Sequence, residues 1–214
     1  MLQRAMPRPH IKPQKSSARA WQRMLSGRRL DLLNPSPADI EIEDIAHGLA
    51  RVARWNGQTV GAHAFSVAQH ALVVEDIART RNPDWPARWR LAALLHDAPE
   101  YVVGDLISPF KTAIGLDYKA FELRLLAAIH ARYGLPVELP SDVQAQIKNA
   151  DRIAAYFEAT RLAGFSEPEA TIYFGQPKDL APELTARLAA LAPVPADAAQ
   201  RDFLNRFNLL IERF

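Results

Sequence analysis

The chain has 214 residues, of which 49% are hydrophobic, so it is long enough to bury a substantial core within one domain. It contains no cysteine, which excludes a disulfide framework and a thiolate metal site. No uninterrupted apolar run approaches the ~20 residues of a membrane-spanning helix. These features favour a cytoplasmic enzyme or binding domain that is not embedded in a membrane.

Positive charge is concentrated at the beginning of the chain. Residues 1–30 contain eight basic and no acidic residues, a charge of +8, while the rest has 18 basic against 24 acidic residues. The sequence pI of about 9.0 therefore describes this arm. We expect residues 1–25 to form a flexible basic extension and residues 26–214 to form the folded domain. A basic arm can contact nucleic acid or a membrane surface, but we expect neither partner.

The rest of the chain has an almost entirely helical pattern. Residues 26–37 indicate a loop with a short strand pair, and the Asn-Pro-Ser-Pro segment at 34–37 indicates a turn. Apolar residues at three- and four-residue steps then predict a series of helices. These helices are expected around Ile45–Val52 and Phe65–Ile77, and at Trp89–Val102, Tyr118–Tyr133, Val143–Leu162, Leu180–Leu191 and Asp202–Ile211. The sequence thus predicts an all-α, single-domain helical bundle.

The segment 96–100, His-Asp-Ala-Pro-Glu, combines metal-binding side chains with a spare carboxylate. A second histidine, His70, lies upstream, and a further aspartate, Asp151, lies downstream. Two neutral imidazoles and two carboxylates around a divalent ion leave a nearly uncharged site. We therefore predict one divalent metal ion, held by His70, His96, Asp97 and Asp151 from three helices. Nitrogen and oxygen ligands are compatible with Mn, Co, Fe, Zn or Mg.

Two further residues are candidates through their helical spacing. Glu100 follows His96 by four residues, so on a continuous helix it shares a face with His96 and suits a general acid or base. His63 precedes His70 by seven residues, or two turns, if the helix extends that far back. It is then too distant for the same ion but close enough to contact a substrate phosphate. The alternative for any single histidine here is a hydrogen-bonded core residue.

The wider pattern resembles a known family. It consists of Phe65–Leu72 around His70, Leu94–Leu106 around the His-Asp pair, and Ile147–Ile153 around Asp151. In order and context these motifs resemble the HD-domain metal-dependent phosphohydrolases, and among them the bacterial 5'-deoxynucleotidases, over roughly residues 43–165. The resemblance implies an HD-type helical bundle, a homodimer and the same four metal ligands.

The resemblance also implies roles for residues around the ion. Glu100 matches the family's catalytic acidic residue, and Asp105 matches a second carboxylate near the sugar and the attacking water. Arg54 and Trp55 stand about where the deoxynucleotidases carry an Arg-Trp pair that contacts phosphate and deoxyribose. For this pair the alternative is a helix-ending arginine beside a packing tryptophan.

The favoured function is therefore a phosphomonoesterase that releases phosphate from (deoxy)nucleoside 5'-monophosphates, with a small-molecule phosphate ester as partner. Alternatives are an HD phosphodiesterase or nucleotide polyphosphate hydrolase, or a non-catalytic HD protein that binds nucleotides or nucleic acid. The complete ligand set together with Glu100 favours the enzyme.

Overall fold

The computed structural model describes residues 20–106 and 118–214. Helices dominate this part of the chain, which confirms the predicted all-α class. In chain order they are α1 (Ile42–Leu49), α2 (Val67–Arg81), α3 (Ala87–Leu94), α4 (Glu100–Val103), α5 (Tyr118–Arg132), α6 (Ser141–Arg161), α7 (Glu167–Phe174), α8 (Pro182–Ala189) and α9 (Ala196–Ile211). Short 3-10 turns occupy Pro37–Asp39 and Arg54–Gly57. Within the described ranges, no helix combines the length and apolar character needed to cross a bilayer.

The predicted strand pair is present but begins earlier than expected. Strand β1 (Trp21–Arg23) pairs antiparallel with β2 (Arg29–Asp31). The turn between them uses Gly27, whose φ of 87° is a left-handed conformation that glycine adopts without steric cost. Residues 1–19 of the predicted extension lie outside the described residues, so the boundary at residue 25 stays a prediction.

Helix α2 lies at the centre of the fold and packs against α3, α6 and α9. Its buried apolar residues, including Val67, Val74 and Ile77, contribute to the core. Two buried residues on the same helix, His70 and Glu75, are polar and fully inaccessible. Because a buried polar group is costly without a partner, both side chains must find hydrogen bonds or ions inside the protein.

The prediction of one helix over Trp89–Val102 is wrong. Helix α3 ends at Leu94, and residues 95–99 form successive turns before the short helix α4. Pro99 has no N–H to donate to the carbonyl of Leu95, which instead accepts a hydrogen bond from Ala98 N at 3.0 Å. The chain then continues through bonds to the third preceding residue, such as Glu100 N to Asp97 O at 3.0 Å.

A close helix contact fixes the position of this turn. Helix α1 packs against α4, and a Cβ atom at Gly48 would lie 2.7 Å from Cβ of Tyr101. Glycine therefore allows the backbone of α1 to approach the residue that directly follows Glu100.

The remaining predicted helices are present with shifted ends. Helix α9 begins earlier than expected, at Ala196, and α8 is shorter than predicted at both ends. Helix α7 was missing from the prediction, although Ser166 and Glu169 form a capping box at its beginning. This helix packs against α6, and its Phe174 ring packs against Trp55.

Candidate metal centre

The site begins at a bend that connects α1 to α2. Arg54 N donates to Phe65 O at 2.8 Å, and Val67 N donates to Val52 O at 3.0 Å, so the two ends of the connection lie side by side. Trp55 at this bend has φ 57° and ψ 29°, a left-handed conformation that is uncommon for a bulky side chain. The local backbone therefore stores strain that surrounding contacts must offset.

Three elements supply the four predicted metal ligands. His70 lies in the first turn of α2, and Asp151 lies in the middle of α6. His96 and Asp97 lie in the turn between α3 and α4, so the prediction of three ligand-bearing helices is corrected to two helices and a turn. The packing of α2 against α6 brings His70 and Asp151 together.

The donor atoms of these residues converge. His70 Nε2 lies 3.4 Å from Asp97 Oδ2 and 3.2 Å from Asp151 Oδ1, and His96 Nε2 lies 3.3 Å from Asp97 Oδ2. The ligand atoms of His70, His96 and Asp97 all lie within 4.8 Å of one another, and Asp151 is not part of that group of three. Asp151 approaches through His70, and its side chain is 39% exposed, so the site is open on this side.

Both histidines direct an unpaired nitrogen into the site. His70 Nδ1 lies 2.5 Å from Glu158 Oε1, and His96 Nδ1 lies 2.8 Å from the carbonyl oxygen of Ala93. In the neutral ring, a proton on Nδ1 leaves Nε2 as a lone-pair donor. Each Nε2 is buried without a hydrogen-bond partner among the residues that the structure describes. Two orphaned imidazole nitrogens beside a carboxylate fit a divalent cation.

Electrostatics also favour a cation here. Although burial acts to lower the pKa of His70, nearby carboxylates, Glu158 foremost, raise it well above its usual value. The pKa of His96 is raised in the same way, with Asp97 as the main opposing influence to burial. Burial acts to raise the pKa of Asp97, but the two histidines hold it well below its ordinary value. The carboxylates therefore stabilise positive charge at the position where the ligand atoms meet.

Glu100 lies beside this group and is in a different electrostatic state. Burial, followed by the charges of Asp97 and Asp105, raises the pKa of Glu100 to about 9. Its Oε2 is buried and has no hydrogen-bond partner within residues 20–106 and 118–214. The expectation that it shares a helical face with His96 is wrong, because the helix ends before it, but the turn keeps it near the ligands. A carboxyl group that stays protonated at neutral pH is suited to proton donation.

Arg54 lies between the candidate ligands and the other carboxylates. Its Nη1 is 3.9 Å from Asp97 Oδ2 and 3.8 Å from Asp105 Oδ2, beyond hydrogen-bond distance. Its Nε and Nη2 are held by Glu158 at 3.2 and 3.1 Å. Nη1 is therefore positioned to contact an anion that enters the site.

Glu158 is the residue that sequence reasoning missed. It is fully buried on α6, two turns after Asp151, and its carboxylate contacts Arg54, Trp55 and His70. A glutamate within the apolar segment 154–159 was the available indication. Attraction from Arg54 and His70 outweighs burial and lowers the pKa of Glu158 to about 2.

His63 lies apart from the helix that carries His70. Helix α2 begins at Val67, and His63 is an exposed residue in the preceding loop. The premise of a continuous helix is therefore wrong, and a phosphate contact by His63 stays a prediction. A pocket of about 410 Å³ elsewhere in the fold, lined among others by Leu72, Arg79 and Arg187, contains none of the candidate ligands.

The chain is similar to known proteins. Residues 46–169, more than half of the chain, match the YfbR-like 5'-deoxynucleotidase family. The chain belongs to this family. The matched range agrees with the resemblance seen over residues 43–165 and includes every candidate ligand. Membership identifies a hydrolase of the HD superfamily, whose enzymes use a divalent metal.

Two relatives extend the comparison. An uncharacterized protein of Rhodobacter capsulatus is 60% identical over 194 residues, which covers 90% of this chain and 96% of the relative. The uncharacterized protein YfdR of Escherichia coli is 35% identical over 106 residues, covering 50% of this chain and 54% of YfdR.

Proposed function

We propose that this protein is a divalent-metal-dependent phosphomonoesterase that releases phosphate from (deoxy)nucleoside 5'-monophosphates. The observation that carries the proposal is the pair of buried, unpaired Nε2 atoms of His70 and His96 beside Asp97. Family membership supports the same class of substrate.

In this proposal His70, His96, Asp97 and Asp151 hold the ion. A divalent ion there would lower the pKa of a water and polarise the phosphate. Arg54 Nη1 lies close enough to this group to bind a phosphate oxygen and orient the ester. Trp55, held beside Arg54, would pack against the sugar.

The two remaining carboxyl groups divide the proton transfers. In its protonated form, Glu100 donates its proton to the leaving 5'-oxygen. The Asp105 carboxylate accepts a proton from the attacking water. Burial of Glu100 favours its neutral form, which is the form needed for donation.

Among residues 20–106 and 118–214, only one group of histidine and acidic side chains has the geometry to hold a metal ion. A two-metal diesterase or polyphosphate hydrolase needs further ligands, and this part of the chain shows no second cluster. The single cluster therefore favours a one-ion enzyme over a two-metal one, and family membership favours the monoesterase among one-ion enzymes.

A phosphate-release screen tests the proposal. Purified protein is loaded with Mn, Co or Mg and assayed against ribo- and deoxyribonucleoside 5'-mono-, di- and triphosphates, 3'-monophosphates and a phosphodiester. We expect release from 5'-monophosphates and none from diesters. The Glu75→Gln variant, altered at a buried carboxylate away from these ligands, is the matched control and should retain activity. Turnover of diesters or triphosphates in preference to monophosphates would overturn the proposal.

A further inference from the structure

Glu158 joins two parts of the site through one carboxylate. Its Oε1 lies 2.5 Å from His70 Nδ1. Its Oε2 accepts hydrogen bonds from Arg54 and from Trp55 Nε1, the latter at 2.9 Å. A fully buried carboxylate with these partners leaves little freedom for any of them.

The first contact determines which nitrogen of His70 can bind a cation. A carboxylate has no proton to donate, so the imidazole must place its own proton on Nδ1 to bond with Oε1. Nε2 is then unprotonated in the neutral ring, and it is the atom next to Asp97 and Asp151. A hydrogen bond of this kind orients a metal-binding histidine and makes it a stronger donor.

The second contact holds the bend at Arg54 and Trp55. Trp55 keeps its left-handed backbone while its ring packs against Phe165 and Phe174, with centroids 5.6 and 5.8 Å away. The ring nitrogen bonds to Glu158, and Arg54 bonds to the same oxygen through Nε and Nη2. These contacts leave Arg54 Nη1 directed towards Asp97 and Asp105.

We propose that Glu158 is a positioning residue that sets both the metal-binding orientation of His70 and the substrate-binding arrangement of Arg54 and Trp55. This inference rests on the proposed metal-dependent function. Glu158 does not contact the ion or the substrate itself. It acts through the three side chains that it bonds.

Substitution of Glu158 by glutamine or by alanine separates its role at His70 from its role at Arg54 and Trp55. In Glu158→Gln, the amide oxygen still accepts bonds from Arg54 and Trp55, while the amide NH₂ faces His70 Nδ1. Nδ1 must then accept, which moves the imidazole proton to Nε2 and opposes metal binding. Glu158→Ala removes the contacts on both sides.

The experiment measures cation affinity directly, with Mn or Co titrated into metal-free protein by calorimetry. We expect Glu158→Gln to weaken the cation Kd by about 10- to 100-fold. Excess cation should restore most of its kcat and leave KM near the wild-type value. For Glu158→Ala the cation affinity should fall similarly, but KM should stay high even at saturating cation.

Two controls separate positioning from general destabilisation. Glu75→Gln makes the same change at a different fully buried glutamate, which lies on α2, and its cation Kd should be unchanged even if its Tm falls. Trp55→Phe removes one bond to Glu158 Oε2 and leaves His70 untouched, so it should raise KM without weakening cation binding.

The outcomes are distinct. A cation Kd of Glu158→Gln within about threefold of the wild type overturns the inference. If that variant does not fold, Glu158→Asp is judged by the same criterion, since its shorter side chain cannot reach His70, Arg54 and Trp55 together. Wild-type protein that binds cations but releases no phosphate overturns the proposed function and leaves the effect of Glu158 on cation binding standing. Wild-type protein that binds no cation overturns both.

Discussion

Glu75 and Glu158 are both fully buried and both paired with arginine, yet they serve different regions of the molecule. Glu75 bonds Arg90 of α3 at 2.7 Å and also bonds Arg206 of α9. It thereby joins three helices, and its partners among the described residues are both arginines. Glu158 instead bonds a histidine whose other nitrogen has no hydrogen-bond partner in the described part of the chain. A buried ion pair alone therefore does not indicate a functional site. A buried histidine nitrogen that lacks a hydrogen bond, beside such an ion pair, does indicate one.

The largest expected effect on activity comes from removing a proposed metal ligand in the region that Glu158 serves. His96→Ala or Asp97→Ala should abolish metal retention and activity together, because each removes one of four proposed ligands. Metal analysis after dialysis, combined with phosphate release, measures both effects. Glu75→Gln should keep its metal in the same assay. Full occupancy in His96→Ala or Asp97→Ala would show that the residue is not a ligand.

Substitution of Glu100 separates metal and nucleotide binding from the chemical step. Glu100→Ala should retain metal and bind nucleotide, but its kcat should fall by about 10²- to 10⁴-fold, the usual contribution of a positioned acid or base. Metal content, kcat and KM are measured on one preparation. If Glu100 were only a structural partner, the loss would lie in KM or thermal stability instead, and kcat would be nearly normal.

Substitution at Glu75 should affect stability but not function. Glu75→Ala leaves Arg90 and Arg206 without their carboxylate, and we expect the free energy of unfolding to fall by about 2–4 kcal/mol. Both arginines reach solvent in part, which limits the loss. Denaturant titration measures the change. Metal affinity and kcat of the folded fraction should equal those of the wild type, and a selective loss of metal would contradict the comparison.

The folding stability of the metal-free protein should depend on pH through Glu100. The pKa of Glu100 is raised to about 9, so between its unfolded pKa and that value the folded state binds more protons than the unfolded state. Stability from this group is therefore complete below the unfolded pKa and decreases as pH rises towards 9. Glu100→Gln lacks this dependence.

We expect the stability of metal-free Glu100→Gln, relative to the wild type, to increase steadily as pH rises from about 5 to about 8. Urea titrations of both proteins across this range measure the difference. Added cation should reduce it, because positive charge near Glu100 favours the ionised form. Parallel pH profiles for the two metal-free proteins would show that Glu100 ionises normally.

Local sequence patterns predicted much of the fold but not its interruptions. Periodic apolar residues located α2, α5 and α6 closely, because each helix buries one face through residues three and four apart. The same pattern predicted a continuous helix through His96, where Pro99 instead breaks it. Apolar periodicity does not record a missing backbone donor, and the proline offered the better indication.

The residues of the candidate site were likewise predicted only in part from the sequence. Residue types and order indicated His70, His96, Asp97 and Asp151 because hard cations and imidazole chemistry restrict the useful side chains to a few. Glu158 was missed because its role depends on partners from two distant segments. Only its charge within an apolar stretch of α6 distinguished it in the sequence.

The sequence by itself determined the helical class, the family motifs and the set of side chains able to hold a cation. These properties depend on residue identity and on spacing within a few turns. The tertiary structure alone decided that Glu158 would meet His70, Arg54 and Trp55, and that both Nε2 atoms would remain unpaired in the interior. Those contacts follow from the packing of α6 against α2 and from the bend at Trp55, since helices distant in sequence meet only when their buried faces fit together.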